Sequence, residues 1–334
     1  MILANWLWFR YNHRLEDYAE SGMIATVTLN PAVDKSLAVP RFEIGKTNRG
    51  EVRRTDAGGK GINVAKAAKQ LGAEVCALGF AAGSNGHFIL EVLAAAGVTV
   101  DFVKVPGETR VNLKIYDSVY GTETELNEPG FQVFSEHLEQ MKRKIRTHAP
   151  GCEVMVFSGS LPPGAPPETF AELITIAKAS GTKCILDTDG PALRWGLEAK
   201  PLLIKPNRAE VEALLQERLS TGSELARAAR KLLKRGAEEV VISMGADGAV
   251  AATNQDLLSA RPPSVTARSS VGAGDAMVAA LAYGELKHLP FRESFRLAMA
   301  ASAAAVTMEG SKMADLAQVF SLLPQVSIEN VGWN

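Results

Sequence analysis

Cysteine is scarce in this chain. The three thiols among 334 residues, Cys76, Cys152 and Cys184, are too few and too scattered for a disulfide framework or a zinc cluster. Each falls in or beside an apolar strand-like run, so reduced core thiols are expected. An excess of charge is also missing. With 36 basic and 37 acidic residues the formal net charge is −1, which withholds the broad attraction that nucleic acid or an anionic membrane requires. No run of about 18 apolar residues occurs, so no membrane span is expected. The opening "MILANWLWFRYNHRLEDYAESG" has no basic n-region and no small-residue cleavage site, which argues against a signal peptide and for a cytoplasmic protein. Residues 1–22 read as an N-terminal extension or a misassigned start, because "MIATVTLNP" from Met23 resembles the first strand of a domain. What remains, 46% hydrophobic and 22% charged, is the composition of an ordinary globular protein.

From Met23 onward short β-branched runs alternate with segments of helical period. "IATVTL", "EVCALGF", "EVMVFSG", "KCILD" and "EVVISMG" read as strands, and "INVAKAAKQLG", "HFILEVLAAAG", "PETFAELITIAKASG" and "ELARAARKLLKRG" as helices. Thr221 and Glu224 are spaced as a capping box. This alternation predicts a mostly parallel sheet covered by helices on both faces, with ligands at the carboxyl ends of its strands. Two stretches break the rhythm. Around 35–56 and 108–128 the period is 2, with Val111, Leu113 and Ile115 on one side and Asn112, Lys114 and Tyr116 on the other, which predicts a small antiparallel sheet outside the main one.

Familiar nucleotide motifs fail. "GKT" at Gly45–Thr47 would need a glycine where Pro40 stands, and "GGKGIN" at Gly58–Asn63 lacks the third glycine of a dinucleotide fingerprint. Read on its own physics, "AGGKGINVAK" exposes backbone N–H groups at a helix mouth, with Lys60 as a point charge and Asn63 offering a donor and an acceptor to a sugar hydroxyl. Lys46, Arg49, Arg53, Arg54 and Arg110 concentrate positive charge nearby. "SSVGAGDAMVAAL" repeats the device with Asp275 at the mouth, so the amides of Gly272, Ala273 and Gly274 can hold an anion beside a carboxylate that can deprotonate a hydroxyl. A capping role is the plainer reading of Asp275, but a cap alone does not need a glycine on either side of Ala273. In "KPNRAE", Asn207 and Glu210 share one face of a helix start, a pairing that suits Mg²⁺ held partly through water; taken alone, Glu210 is merely a good helix former.

Together these segments resemble the PfkB family of carbohydrate kinases, from about Met23 to about Leu323. "AGGKGINVAK" is similar to the family's N-terminal signature, "SVGAGDAMVAAL" to its C-terminal signature and "KPNRAE" to its metal motif. "TLNPAVD", "GETRVN" and "SGSLPPG" resemble the branch acting on phosphorylated ketohexoses, which comprises 1-phosphofructokinases, tagatose-6-phosphate kinases and minor 6-phosphofructokinases. The resemblance implies a ribokinase-like three-layer α/β/α fold over 23–324, with a mostly parallel central sheet, a small β-sheet lid and a tail at 325–334. It implies Asp275 as catalytic base and the Gly272–Gly274 amides as anion hole. Asp34, Gly58, Gly59, Lys60, Asn63, Ser158 and Ser160 would face the sugar, and Lys46 and Arg110 its phosphate. Lys205, Asn207, Ser243, Gly245 and Gly248 would line the ATP site, with Asn207 and Glu210 at Mg²⁺, the latter through water. A homodimer through the lid is implied as well. Lys60 favours fructose 1-phosphate as substrate, since the minor 6-phosphofructokinases tend to carry glycine there, while tagatose-6-phosphate kinases share the lysine. A non-catalytic sugar-phosphate sensor is the rival reading from another class. Two departures stand out. Relatives usually carry Thr at Ser270 and Ser at Ala276, and Met308 stands where a polar residue often flanks a monovalent-cation loop, which puts potassium dependence in doubt.

Overall fold

The computed structural model describes residues 22–310 and 312–332; the extension expected at 1–22 lies outside them except for Gly22. The strands are β1 (Met23–Thr28), β2 (Ala32–Ala38), β3 (Glu51–Gly58), β4 (Glu74–Ala81), β5 (Thr99–Lys104), β6 (Arg110–Asp117), β7 (Thr122–Asn127), β8 (Val154–Ser158), β9 (Lys183–Asp187), β10 (Leu203–Ile204), β11 (Glu239–Ser243), β12 (Ala249–Ala252), β13 (Leu257–Arg261) and β14 (Ser327–Asn330). The helices are α1 (Lys60–Gln70), α2 (Gly83–Ala95), α3 (Ser135–His148), α4 (Thr169–Lys178), α5 (Gly190–Glu198), α6 (Arg208–Leu215), α7 (Gly222–Lys234), α8 (Ala273–Leu286), α9 (Phe291–Val306) and α10 (Leu316–Leu322).

Ten strands form one sheet in the order β14-β13-β12-β11-β10-β9-β8-β1-β4-β5. It is parallel from β5 through β11 and antiparallel from β11 to β14. The central strands are apolar on both faces because helices cover both. In β8, Val154 and Val156 face one core with α8 and α9, while Met155 and Phe157 face the other with α3 and α4. Helix α8 is apolar almost all round and is correspondingly buried against the sheet and the apolar face of α9. All three cysteines are buried free thiols.

The second sheet has the order β3-β2-β6-β7. It is mixed rather than antiparallel, because β2 and β6 pair in parallel. A bulge sets Arg53 outside the register, between the pairs Ser36 with Arg54 and Leu37 with Val52. The period-2 pattern is realised: Asp34, Ser36, Arg54, Asp56, Lys114, Tyr116 and Glu123 line a cleft of about 640 Å³. Leu37, Val52, Leu113 and Leu126 share the opposite face, where Val52 and Leu126 are exposed. The end of the chain also differs from expectation. The segment assigned to a tail from 325 contributes β14, which pairs with β13 and extends the sheet as its edge strand.

Candidate active site

Both glycine-rich helix mouths open at the carboxyl ends of central strands, and one hydrogen bond joins them. The Asn63 side-chain amide, on the first turn of α1, donates to Asp275 Oδ2 at 2.8 Å on the first turn of α8. Asp275 does not cap its helix. The cap position is Gly272, held at φ 79° in the left-handed region, and no side chain closes the first turn. The carboxylate is thereby left to engage Asn63, while the Ala273 amide makes only a long 3.5 Å bond to Ser270 O. Burial and the nearby negative charge of Asp187 push the Asp275 carboxyl up to about 6, against the pull of Asn63, Lys60 and Lys205.

Asp187, at the end of β9, was not singled out from the sequence and proves to be the electrostatic centre of the site. It is fully buried, its Oδ1 lies 3.3 Å from Lys205 Nζ and 3.6 Å from Lys60 Nζ, and its Oδ2 accepts a hydrogen bond from Ser158 at 3.3 Å. Burial would raise this carboxyl, but the two ammonium groups and the Ser158 hydroxyl outweigh it and hold the group below the ordinary carboxylate range. The signal was present in "KCILD", an aspartate at a strand's carboxyl end. Lys60 also reaches Glu210 Oε1 at 3.6 Å, and its carboxylate neighbours overcome burial to raise its basicity. Lys205 also reaches the α8 mouth, its Nζ standing 3.5 Å from where a Cβ on Gly274 would be.

Asn207 and Glu210 are a capping box for α6. Glu210 N donates to Asn207 Oδ1 at 2.9 Å and Asn207 N donates to Glu210 Oε2 at 2.8 Å. This leaves Glu210 Oε1 turned toward Lys60. Among the described residues no group of three or more acidic, histidine or cysteine side chains could enclose a metal. Asn207, Ser243, Gly245, Gly248, Ala273 and Gly274 line one cleft of about 750 Å³, so four of the five residues expected on the nucleotide side come together with the helix mouth. Its other wall, Pro262, Val265, Met299 and Val306, was not anticipated, because apolar residues from a loop and a helix carry no motif.

Among the residues expected to face the sugar, Asp34 accepts from Asn112 Nδ2 at 2.9 Å, and burial raises its carboxyl while Asn112, Lys114 and Lys66 oppose the shift. Gly58 is required beside it, for a Cβ there would lie 2.3 Å from Asp34 Oδ2. Lys66, one turn beyond Asn63, donates to Ala57 O at 2.8 Å, and burial lowers its ammonium to about 8 against the pull of Asp56, Asp34 and Asp275. Gly59 precedes α1 at φ 106°. Arg110 reaches Asn30 O and Glu128 O at 3.1 Å and Ser160 Oγ at 3.5 Å. Lys46 is not joined to this group: it lies exposed in the loop between β2 and β3, where its carbonyl accepts from Asn48. Met308 packs partly buried against the core.

The model of the pfkB family carbohydrate kinases matches residues 25–316. The chain belongs to this family. As a pfkB kinase it is similar to the 1-phosphofructokinase of Xanthomonas campestris, at 38% identity over 90% of this chain and 98% of that one. It is also similar to the 1-phosphofructokinase of Vibrio cholerae, at 34% identity over 91% and 96%. Among solved structures, phosphofructokinase-2 from Escherichia coli in complex with potassium matches with a TM-score of 0.86 at 30% identity, covering 91% of this chain and 99% of that one. The pfkB kinase fold is thus the ribokinase-like one expected, and the family's activity makes this chain a sugar-phosphate kinase with ATP as co-substrate.

Proposed function

We propose that this chain transfers the γ-phosphoryl group of ATP to the 6-hydroxyl of fructose 1-phosphate, giving fructose 1,6-bisphosphate. The observation that carries the reading is the buried Asp275, fixed by Asn63 at the meeting point of two helix mouths. The 34–38% identity to 1-phosphofructokinases supports the choice of sugar.

Asn63 occupies Asp275 Oδ2, which leaves the rest of the carboxylate to accept the proton of the attacking hydroxyl. The sugar oxygen then forms its bond to the γ-phosphorus as the bond to the bridging oxygen of ADP breaks. Charge developing on the transferred group meets the amides of Gly272, Ala273 and Gly274, the positive end of α8 and the Lys205 ammonium. Such general-base help is worth roughly 10² to 10⁴ in rate. Asp34, held by Asn112, supplies an acceptor for sugar hydroxyls, and Arg110 beside Ser160 supplies the cation for the sugar's own phosphate.

The donor set fits Mg²⁺, which takes few protein ligands and keeps its waters. Glu210 Oε1 and Asp187 Oδ1 are hard oxygens that converge on a single cation, the Lys60 ammonium, at 3.6 Å each. When bound, Mg²⁺ neutralises the β- and γ-phosphate oxygens. The reading includes a cytoplasmic homodimer joined through the small sheet, supported by the exposed Val52 and Leu126 on its apolar face.

A coupled assay with ATP, Mg²⁺ and a panel of fructose 1-phosphate, fructose 6-phosphate and tagatose 6-phosphate tests the proposal. Fructose 1-phosphate is expected to be preferred at least about tenfold in kcat/KM. Preference for either other sugar reassigns the substrate, and no turnover on any of them leaves the non-catalytic sensor.

A further inference from the structure

Asn30 follows β1 and is 4% exposed. The two hydrogens of its side-chain amide are shared among three oxygens from two distant segments: Pro129 O at 3.1 Å, Ser160 Oγ at 3.2 Å and Leu161 O at 3.4 Å. Its backbone oxygen accepts from Arg110 Nη2 at 3.1 Å, and the same nitrogen approaches Ser160 Oγ at 3.5 Å. One buried residue therefore ties the link from β7 to α3, the loop after β8 and the phosphate-facing arginine into a single arrangement. The far side of that loop is fixed independently, by Gly159 N donating to Asp187 O at 3.0 Å and Thr188 Oγ1 donating to Gly159 O at 2.8 Å.

Gly130 belongs to the same device. Asn30 Oδ1 is buried with no hydrogen-bond partner, and a Cβ on Gly130 would lie 2.3 Å from it. Position 130, at φ 100°, has no side chain, and this leaves room for the amide to turn its donors toward Pro129, Ser160 and Leu161.

We propose that Asn30, seated against Gly130, is a positioning residue for the sugar phosphate, locking Ser160 and Arg110 in the geometry that receives it. The proposal rests on the sugar-phosphate kinase reading above for its substrate. Losing the amide would loosen the sugar end of the cleft and leave Asp275, Lys205 and the nucleotide cleft untouched, so the defect belongs in the sugar KM rather than in the chemistry.

Steady-state kinetics of three variants test it. In Asn30→Ala the KM for the sugar phosphate is expected to rise at least about tenfold while the KM for ATP and kcat change less than about threefold. Gly130→Ala should raise the sugar KM as well, because its new methyl group meets the amide and its φ of 100° also strains any side chain. The double variant Asn30→Ala/Gly130→Ala should be no worse than the poorer single one, since the truncated side chain no longer meets the added Cβ. Should Asn30→Ala fail to fold, Asn30→Asp keeps the shape without the donors and carries the same expectation. An unchanged sugar KM, an equal rise for ATP, or additive single effects overturns the proposal. Amide exchange of the free protein separates this outcome from failure of the kinase reading. Asn30→Ala should accelerate exchange in 128–131 and 158–161 even if the wild type turned over none of the three sugars, and unaltered exchange in both segments counts against Asn30 irrespective of substrate.

Discussion

Asn63 and Asp275, separated by 212 residues of sequence, are joined by a 2.8 Å hydrogen bond inside the protein. This contact joins the two glycine-rich mouths, and with Lys60 and Lys205 it opposes the burial and the Asp187 charge that drive the carboxylate toward the neutral form.

Asp275→Asn is expected to lower kcat at least about a hundredfold with little change in sugar-phosphate binding. For the wild type, the rate should fall as pH drops through about 6, because the base must be ionised to accept a proton. Asn63→Leu removes a donor to the charged form, so its acid limb should move to higher pH. A limb that stays in place would take Asn63 out of the base's environment.

Lys205→Met leaves the buried Asp187 with the longer contact to Lys60 as its one remaining ion pair, beside the Ser158 hydrogen bond. Breaking a buried pair in this way should cost roughly 3 kcal/mol in urea unfolding. A loss under about 1 kcal/mol would mean that Lys60 and the Ser158 hydroxyl suffice.

Gly58→Ala places a methyl group 2.3 Å from Asp34 Oδ2. The side chain must move, and the sugar KM is expected to rise about tenfold with the ATP KM unchanged. Equal effects on both substrates would show a general disturbance of the β3–α1 turn.

Glu210→Gln keeps the capping box, which glutamine also closes, but removes the charge facing Lys60. The Mg²⁺ concentration giving half-maximal rate should rise about tenfold or more, with the melting temperature nearly constant. An unchanged Mg²⁺ titration would exclude Glu210 from the metal's environment.

Glu239, at the start of β11, is pushed up to about 8 by burial and by Glu285 and Glu238, against Lys183. Its folded-state value lies above the unfolded one, so the stability it contributes is complete below about pH 4.5 and is lost as pH rises through about 8. Glu239→Gln should therefore melt several degrees higher than the wild type at pH 8.5 and nearly equally at pH 5. Parallel curves at both pH values would show that Glu239 is charged throughout.

Much of the local structure was legible because its causes are local. The capping box at Thr221 and Glu224 forms as the spacing predicts, and the alternation in 110–117 places Lys114 on the cleft face and Leu113 opposite it. The start of α2 was not legible. The apolar pattern suggests a beginning near His87, yet the helix starts at Gly83, because the Glu108 carboxylate accepts from Ser84 N and Asn85 N across more than twenty residues. The parallel pairing of β2 with β6 and the joining of Ser327–Asn330 to β13 escaped for the same reason. Partners distant in the chain leave no mark on a segment's own period.

The sequence by itself determined the alternating elements, the two glycine-rich helix mouths and the family, since backbone preference and hydrophobic periodicity act over a few residues. Only the tertiary structure decided that Asp187 lies between Lys60 and Lys205, that Asn63 rather than the helix start engages Asp275, and that Asn30 gathers Arg110 and Ser160. Those facts depend on which strand ends meet, and charge and hydrogen bonding act through that proximity in space rather than along the chain.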